Sequence, residues 1–346
     1  MKTYITEMYK CIELALQAEG MTSPNPLVGC VVLNQKGEVV STGYHKKYGE
    51  NHAERDALLK LDNTKNCTLV VNLEPCSHFG KTPPCTDLII EKGIKTVVFG
   101  MQDPNPLVAG KGLQKLKDAG IEVIGPILEK ECKKLNEVFI KNHTKKQTFV
   151  ALKTATTIDG KIAAYTGDSK WITSENARNE VKKLRKKYDA ILTSSATVIA
   201  DNPTMAHHTK IILDRNLKTD VNSNIYQSGN IYVFYDKNLI PCKDKNINYI
   251  PTPVIKNHLD IQYILDKLFE MKIMSVFVEA GGVLNASFLP YLDKFYHFIA
   301  PKVLADNSGK SCFCGAPVEK ISQCWNCEFN EIKTFDPDIL IISSKK

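Results

Sequence analysis

Two rhythms of apolar residues alternate along this chain. Short β-rich runs at Gly29–Leu33, Cys67–Leu73, Lys95–Phe99 and Ile121–Ile124 are separated by stretches of helical spacing that begin near His52, Thr86 and Gly110. Such alternation predicts layered α/β units rather than a sandwich or a bundle. The N-terminal MKTYITEMYK has no apolar h-region and instead sets Ile5, Met8, Tyr9, Ile12 and Leu16 on one helical stripe. The pattern lapses at Lys141–Gln147, KNHTKKQ, which is polar, lysine-rich and without period. It restarts in FVALKTATTIDGKIA. The second half offers strands at Phe149–Thr154, Ala190–Thr193, Ile211–Asp214, Ile231–Tyr235, Ser275–Glu279 and Phe295–Ile299, with helices near Ser174–Lys187 and Val283–Tyr291. A length of 346 residues is about two domains' worth, so the expectation is two α/β domains, 1–145 and 146–346.

Composition narrows the class. Hydrophobic and charged fractions of 43% and 24% are those of a soluble globular protein, and no apolar run approaches the ~20 residues of a membrane span. A cytoplasmic protein with no membrane partner is expected. Eleven cysteines, an odd number without a secretion signal, point to reduced thiols or metal ligands rather than a disulfide framework. The net charge of +7 is spread along the chain. Its densest run, Lys182–Lys187, falls on a predicted helix and reads as a solvated face, although an anionic small substrate would also suit it.

The strongest chemistry is His52-Ala53-Glu54 followed by Pro75-Cys76 and Cys85. One imidazole and two thiolates make a soft three-ligand set that leaves zinc an open position for water. Zinc lowers that water's pKa toward neutrality, and Glu54 beside it can take the proton and return it to a departing amine. Residues 52 and 54 lie about 200° apart on a helical wheel, so both reach one ion only from a helix's first turn. Asn51 is the expected N-cap. A helix starting near Cys85 or Thr86 would aim its positive end at the thiolates.

Zinc deaminases of nucleic acids and free cytidines carry H-x-E with P-C-x-x-C, whereas here the second cysteine is nine positions on, in PCSHFGKTPPC. The segments TSPNPLVGCVV, HAERDAL, LEPCSHFGKTPPC and MQDPNPLVAGKGL closely resemble the bacterial bifunctional riboflavin-biosynthesis deaminase/reductase family. The resemblance continues through ALKTATTIDGKIA, TGDSKWITS, ILTSSATVIADNP and VEAGGVLNASFL and covers nearly all of the chain. It implies an N-terminal cytidine-deaminase-like three-layer α/β/α domain and a C-terminal dihydrofolate-reductase-like α/β domain. The implied chemistry is zinc-dependent deamination of a phosphorylated ribosylamino-pyrimidinone, then NADPH reduction of its ribosyl group to ribityl. A small phosphorylated pyrimidine is thus the expected partner, in a homo-oligomer that binds no nucleic acid.

The resemblance also implies site residues. Asn25, His45, Lys81, Asp103 and Asn105 match deaminase substrate contacts, with Lys81 and His45 meeting the phosphate; Asn25 and Asn105, each before a proline, equally suit turns. In the second half Glu279-Ala280-Gly281-Gly282 ends a strand and opens a helix, so bare amides can receive an anionic pyrophosphate. No G-x-G-x-x-G is present, which excludes a Rossmann reading. The family pattern assigns Ala155, Trp171, Thr197, Asp201 and Gly281, Gly282, Val283, Leu284, Asn285, Ala286 and Ser287 to NADPH. It assigns Ser169, Arg185, Met205 and Glu279 to substrate, with Lys153 a further candidate. Arg215, at a position where some members place a small NADPH-contacting residue, is expected to grip the 2′-phosphate.

Two departures stand out. His208 occupies the place of an expected substrate-binding arginine, and a neutral imidazole lacks that residue's permanent charge and bidentate fork. Cys312, Cys314, Cys324 and Cys327 form CxC and CxxC pairs where the family has no metal; unrelated cysteines are favoured over structural zinc. A nucleic-acid deaminase is disfavoured by the wide cysteine spacing and the lack of an interleaved basic and aromatic run. A purely structural zinc module is disfavoured by the three-ligand set and Glu54.

Overall fold

The computed structural model describes residues 3–79, 83–105, 108–241 and 246–346. The chain divides into two compact units, Met1–Lys146 and Gln147–Lys346.

The first unit holds strands β1 (Gly29–Leu33), β2 (Val39–Tyr44), β3 (Thr68–Leu73), β4 (Thr96–Met101) and β5 (Glu122–Ile124). Its helices are α1 (Ile5–Leu16), α2 (Ala53–Leu58), α3 (Cys85–Glu91), α4 (Lys111–Asp118), α5 (Glu129–Leu135) and α6 (Glu137–Lys145). Among the described residues these strands form one sheet in the order β2-β1-β3-β4-β5. β1 is antiparallel to β2 and β3, while β3, β4 and β5 run parallel. Two glycines show how the layers stack. A Cβ at Gly29 would overlap the Cys11 carbonyl oxygen of α1, and one at Gly43 would overlap backbone atoms of Ala53 and Ala57 in α2. Gly43 pairs with Cys30, the neighbour of Gly29, and adjacent strand residues face opposite ways. α1 and α2 therefore cover opposite faces of the sheet, which makes the unit a three-layer α/β/α domain.

That close approach also shifts the buried side of α1 from its predicted stripe. Of that stripe Met8 is fully buried and Ile12 packs on the core, while Ile5, Tyr9 and Leu16 stay exposed; Cys11 and Ala15, the small residues that Gly29 faces, are fully buried as well. The polar stretch Lys141–Gln147 likewise departs from expectation, since α6 runs through it to Lys145. Asn142 is buried there and the His143 ring packs 4.1 Å from that of Phe139, so this polar segment has an inward face.

The second unit contains β6 (Phe149–Thr157), β7 (Lys161–Ala163), β8 (Ala190–Ser194), β9 (Thr209–Leu213), β10 (Asn230–Asp236), β11 (Ile247–Thr252), β12 (Val254–Ile255), β13 (His258–Leu259), β14 (Ser275–Val278), β15 (Lys294–Ala300), β16 (Lys310–Ser311), β17 (Cys327–Phe335) and β18 (Asp338–Lys345). Its helices are α7 (Glu175–Arg185), α8 (Ser195–Asp201), α9 (Ile261–Glu270) and α10 (Gly282–Phe288). The main sheet runs β11-β10-β9-β8-β14-β6-β15-β18-β17 among the described residues. It is parallel from β11 to β15, and β18 and β17 are added antiparallel. Near-continuous apolar runs such as Ala190–Leu192 and Val276–Val278 suit strands buried on both faces. One core, including Val150, Leu192, Val276 and Phe288, fills one face; Ile191, Val198, Ile212 and Val233 belong to another.

Candidate functional sites

In the first unit the end of β3 leads into Glu74-Pro75-Cys76. Around it lie the first turns of α2 and α3. His52 is the N-cap of α2, extended at φ −67° and ψ 159°. Asn51 is therefore not the cap; its carbonyl accepts instead from His45 Nδ1 at 3.0 Å. His52 Nδ1 lies 3.5 Å from Cys76 Sγ and 3.4 Å from Cys85 Sγ, and the three donor atoms fall within 4.8 Å of one another. The Cys85 amide, at the start of α3, donates to Cys76 Sγ at 3.3 Å. The Cys85 thiol and the His52 imidazole add hydrogen bonds, and against the opposing effect of burial these partners lower the pKa of the Cys76 thiol. Soft donors at this spacing suit zinc with a position to spare. Glu54, on the first turn of α2, is 4% exposed. Burial first, then the Cys76 thiolate, pushes its carboxyl up to about 7.

The proposed substrate contacts fall unevenly. His45 is buried, with its ring centroid 5.5 Å from that of His52. Its Nδ1 donates to Asn51 and its Nε2 sits 3.1 Å from Asn25 Nδ2. Burial pulls its pKa down, against the Asn51 carbonyl, which raises it. Asn25 is thereby brought beside His45. Asp103 and Asn105 follow β4, where the Asn105 amide donates to Asp103 Oδ1 at 2.8 Å. Lys81 lies outside the described residues.

Three residues went unread in the sequence. Asn72 bonds the Gly29 amide and the Leu27 carbonyl at 2.7 and 2.9 Å. Asn136 bonds Leu27 through both its amide and its carbonyl, at 2.8 and 3.0 Å. Together they fix the segment that carries Asn25. Among the described residues Glu74 accepts from the backbone after β4 and at the start of α4. The readable signal was a pair of polar residues, Asn72 and Glu74, flanking the end of an apolar strand.

In the second unit the carboxyl end of β14 and the middle of β6 meet the last residue of α7, Arg185. Glu279, just past β14, accepts from Arg185 Nε at 2.6 Å and from its Nη2 at 3.1 Å, while Lys153 Nζ stands 3.1 Å away. Burial raises the Glu279 carboxyl, but the two cations outweigh it and hold the group down at about 2. Gly281 follows as the extended N-cap of α10, with open space where a Cβ would stand. Bare amides at a strand end beside fixed cations suit a dinucleotide phosphate. Asn285 on α10 donates to the Cys312 carbonyl at 2.9 Å. Ala155 lies two residues beyond Lys153 on β6. Thr197 sits on the first turn of α8, where its amide donates to the Ser194 hydroxyl at 3.2 Å, and Asp201 is exposed at that helix's end. Trp171 is 62% exposed, with the Arg178 guanidinium 4.3 Å over its ring, and Ser169 is two residues upstream. Arg215 follows the end of β9, and its guanidinium is held by the side-chain and main-chain oxygens of Asn257.

Two expected substrate residues are not brought to this cluster. Met205 is buried in the core with Ile191, Val198 and Ile212. His208 precedes β9. Val278 pairs with Leu192 and Leu192 with Ile211, so Glu279 is level with Ile212 and His208 lies four residues back, roughly 13 Å along the strands. There its ring nitrogen faces Asn230 Nδ2 at 3.2 Å. The short connection to β9 ties this segment to the strand's amino end. Of the late cysteines, Cys314, Cys324 and Cys327 are exposed, and among the described residues the metal-ligand grouping found is that of His52, Cys76 and Cys85. No helix among the described residues is long and apolar enough to cross a membrane.

Residues 148–341 match the family model of the RibD C-terminal domain. Residues 1–101 match that of the cytidine and deoxycytidylate deaminase zinc-binding region. The chain is 38% identical to the riboflavin biosynthesis protein RibD of Actinobacillus pleuropneumoniae over 98% of its own length and 94% of that protein. For RibD of Escherichia coli (strain K12) the identity is 36%, over 96% and 97%. Among solved structures, a Thermotoga maritima diaminohydroxyphosphoribosylaminopyrimidine deaminase/5-amino-6-(5-phosphoribosylamino)uracil reductase superposes with a TM-score of 0.90 at 37% identity, covering 99% of both chains. Acinetobacter baumannii RibD gives 0.88 at 32% identity, covering 98% of each.

Proposed function

The chain belongs to the RibD family of bifunctional riboflavin-biosynthesis deaminase/reductases, and on that premise we propose that it carries out two successive steps on one phosphorylated pyrimidine. Residues 1–145 deaminate 2,5-diamino-6-ribosylamino-4(3H)-pyrimidinone 5′-phosphate, and residues 146–346 reduce the ribosyl group of the product to ribityl with NADPH. The observation that carries this is the convergence of His52, Cys76 and Cys85 on one point beside the buried Glu54.

His52, Cys76 and Cys85 would hold zinc, which when bound would supply the Lewis acidity that makes water a nucleophile near neutrality. Glu54, shielded from solvent on the first turn of α2, takes a proton from the attacking water and delivers it to the departing amine. Asn25, Asp103 and Asn105 offer donors and acceptors to the edge of a polar heterocycle, His45 closes the wall behind it, and Lys81 meets the phosphate. In the second unit Glu279 immobilises Lys153 and Arg185, giving an anionic substrate a fixed cationic floor whose geometry is set before binding. Ser169 is assigned to the same substrate by the family pattern. NADPH binds across Ala155, Trp171, Thr197, Asp201 and the Gly281–Ser287 segment, with Arg215 at its 2′-phosphate. Phe329 and Ile332, exposed on the edge strand β17, support assembly as a homo-oligomer.

The test is to incubate the full chain with the pyrimidinone phosphate, with and without NADPH, following ammonia and identifying products by mass. Ammonia is expected in both samples, and the ribityl product only with NADPH. Ammonia from single-stranded nucleic acid but not from the pyrimidinone, or NADPH oxidation without a ribityl product, overturns the reading.

A further inference from the structure

α4 begins at Gly110, which sits at φ +78° and has no side chain to cap the helix. The orphan amides of its first turn are taken up from another element. Glu74 Oε1 accepts from Gly112 and Leu113 at 2.9 and 3.4 Å, while Oε2 accepts from Gly110 at 2.9 Å and from Asp103 at 3.2 Å. A helix cap ordinarily needs one oxygen; here the second oxygen reaches across to the segment after β4. The carboxylate is 4% exposed, and a negative charge at a helix N-terminus adds to its hold. The fit is tight on the helix side too, since a Cβ at Gly112 would overlap the Pro75 carbonyl oxygen. Pro75 and Cys76 follow Glu74 directly. A single stretch of backbone therefore presents a metal-ligating thiol and grips the segment that bears Asp103 and Asn105.

We infer that Glu74 is a positioning residue for deamination, setting the Asp103–Asn105 segment at a fixed distance from the metal so that the pyrimidine is held in line with it. This rests on the reading that Asp103 and Asn105 contact the substrate. A carboxylate is required because all four partners are N–H donors: a carboxamide has one acceptor oxygen and turns an NH2 group toward amides that cannot accept from it. The substitution that isolates this is Glu74→Gln, nearly identical in volume. Zinc content and kcat should stay near wild type, the KM for the pyrimidinone phosphate should rise about tenfold, the scale of one lost hydrogen bond to a charged group, and amide hydrogen exchange should quicken at Asp103, Asn105 and 108–113. If Glu74→Gln does not fold, Glu74→Asp, which keeps both oxygens but draws them back, is read by the same three measurements. An unchanged KM despite faster exchange overturns the inference, as does loss of zinc in parallel with kcat, which would assign Glu74 to the metal loop alone. Failure of the deaminase reading itself would show separately, as wild-type protein that releases no ammonia.

Discussion

Arg185 and Glu279, 94 positions apart in the chain, are joined side by side, Nε to Oε1 at 2.6 Å and Nη2 to Oε2 at 3.1 Å, with Glu279 6% exposed. Lys153 reaches the same carboxylate from β6. The pair couples α7 to the carboxyl end of β14 and gives stability a defined dependence on pH. The Glu279 carboxyl falls from an ordinary 4.5 to about 2 in the folded protein. A depressed folded value means that the stabilisation is fully present above about 4.5 and is lost as pH falls toward 2. The shift corresponds to about 3 kcal/mol. The difference in unfolding free energy between wild type and Glu279→Gln should accordingly shrink by about that amount from pH 5 to pH 2. Denaturant titrations across this range check it, and a gap independent of pH would remove Glu279 from the account.

Purified protein should carry about one zinc per chain. Cys76→Ala and Cys85→Ala should lose metal and ammonia release together, because a two-ligand remnant binds zinc poorly. Glu54→Gln should keep the metal while losing roughly 10²–10⁴-fold in turnover, the usual range for a general acid–base residue. Metal analysis beside an ammonia assay separates the two classes, and near-normal release from Glu54→Gln would end that residue's assignment. With the deaminated intermediate supplied directly, NADPH-dependent reduction by Glu54→Gln should be intact.

Arg215 makes a sharper cofactor prediction. Its guanidinium is already steadied by Asn257, so little ordering cost remains for gripping a phosphate. Arg215→Ala should weaken NADPH binding by roughly 1.5–3 kcal/mol and leave NADH binding almost unchanged. Titration of both cofactors by calorimetry decides the matter; equal losses would exclude Arg215 from the 2′-phosphate.

Gly29 offers a test of the layer packing. An alanine there would drive its methyl group into the Cys11 carbonyl and against the Ala15 amide of α1. Gly29→Ala should destabilise the protein by roughly 1–3 kcal/mol or more, measured by urea unfolding, and the loss should be relieved little by shortening side chains because the clash is with backbone.

Much of the first site was legible because its parts are local. One turn of helix presents His52 and Glu54, and PCSHFGKTPPC carries both thiols, so residue type and spacing were enough to name zinc and its proton carrier. The glycines after β14 and the strand rhythm of both units were readable for the same reason. Other features depended on distant partners meeting. The buried side of α1 keeps Met8 and Ile12 of the helix's own stripe but adds Cys11 and Ala15, where the missing Cβ of Gly29 admits the helix backbone. His45 reads in sequence as a phosphate contact, but its burial and the bond to the Asn51 carbonyl come only with the fold. Met205 and His208 follow the ADNP segment in sequence, yet core packing claimed the first, and strand register set the second at the amino end of β9. Glu74 and Glu279 read in sequence as ordinary acidic residues. Their roles come from amides and cations that only the folded chain gathers, since desolvation and long-range hydrogen bonding have no counterpart in local spacing.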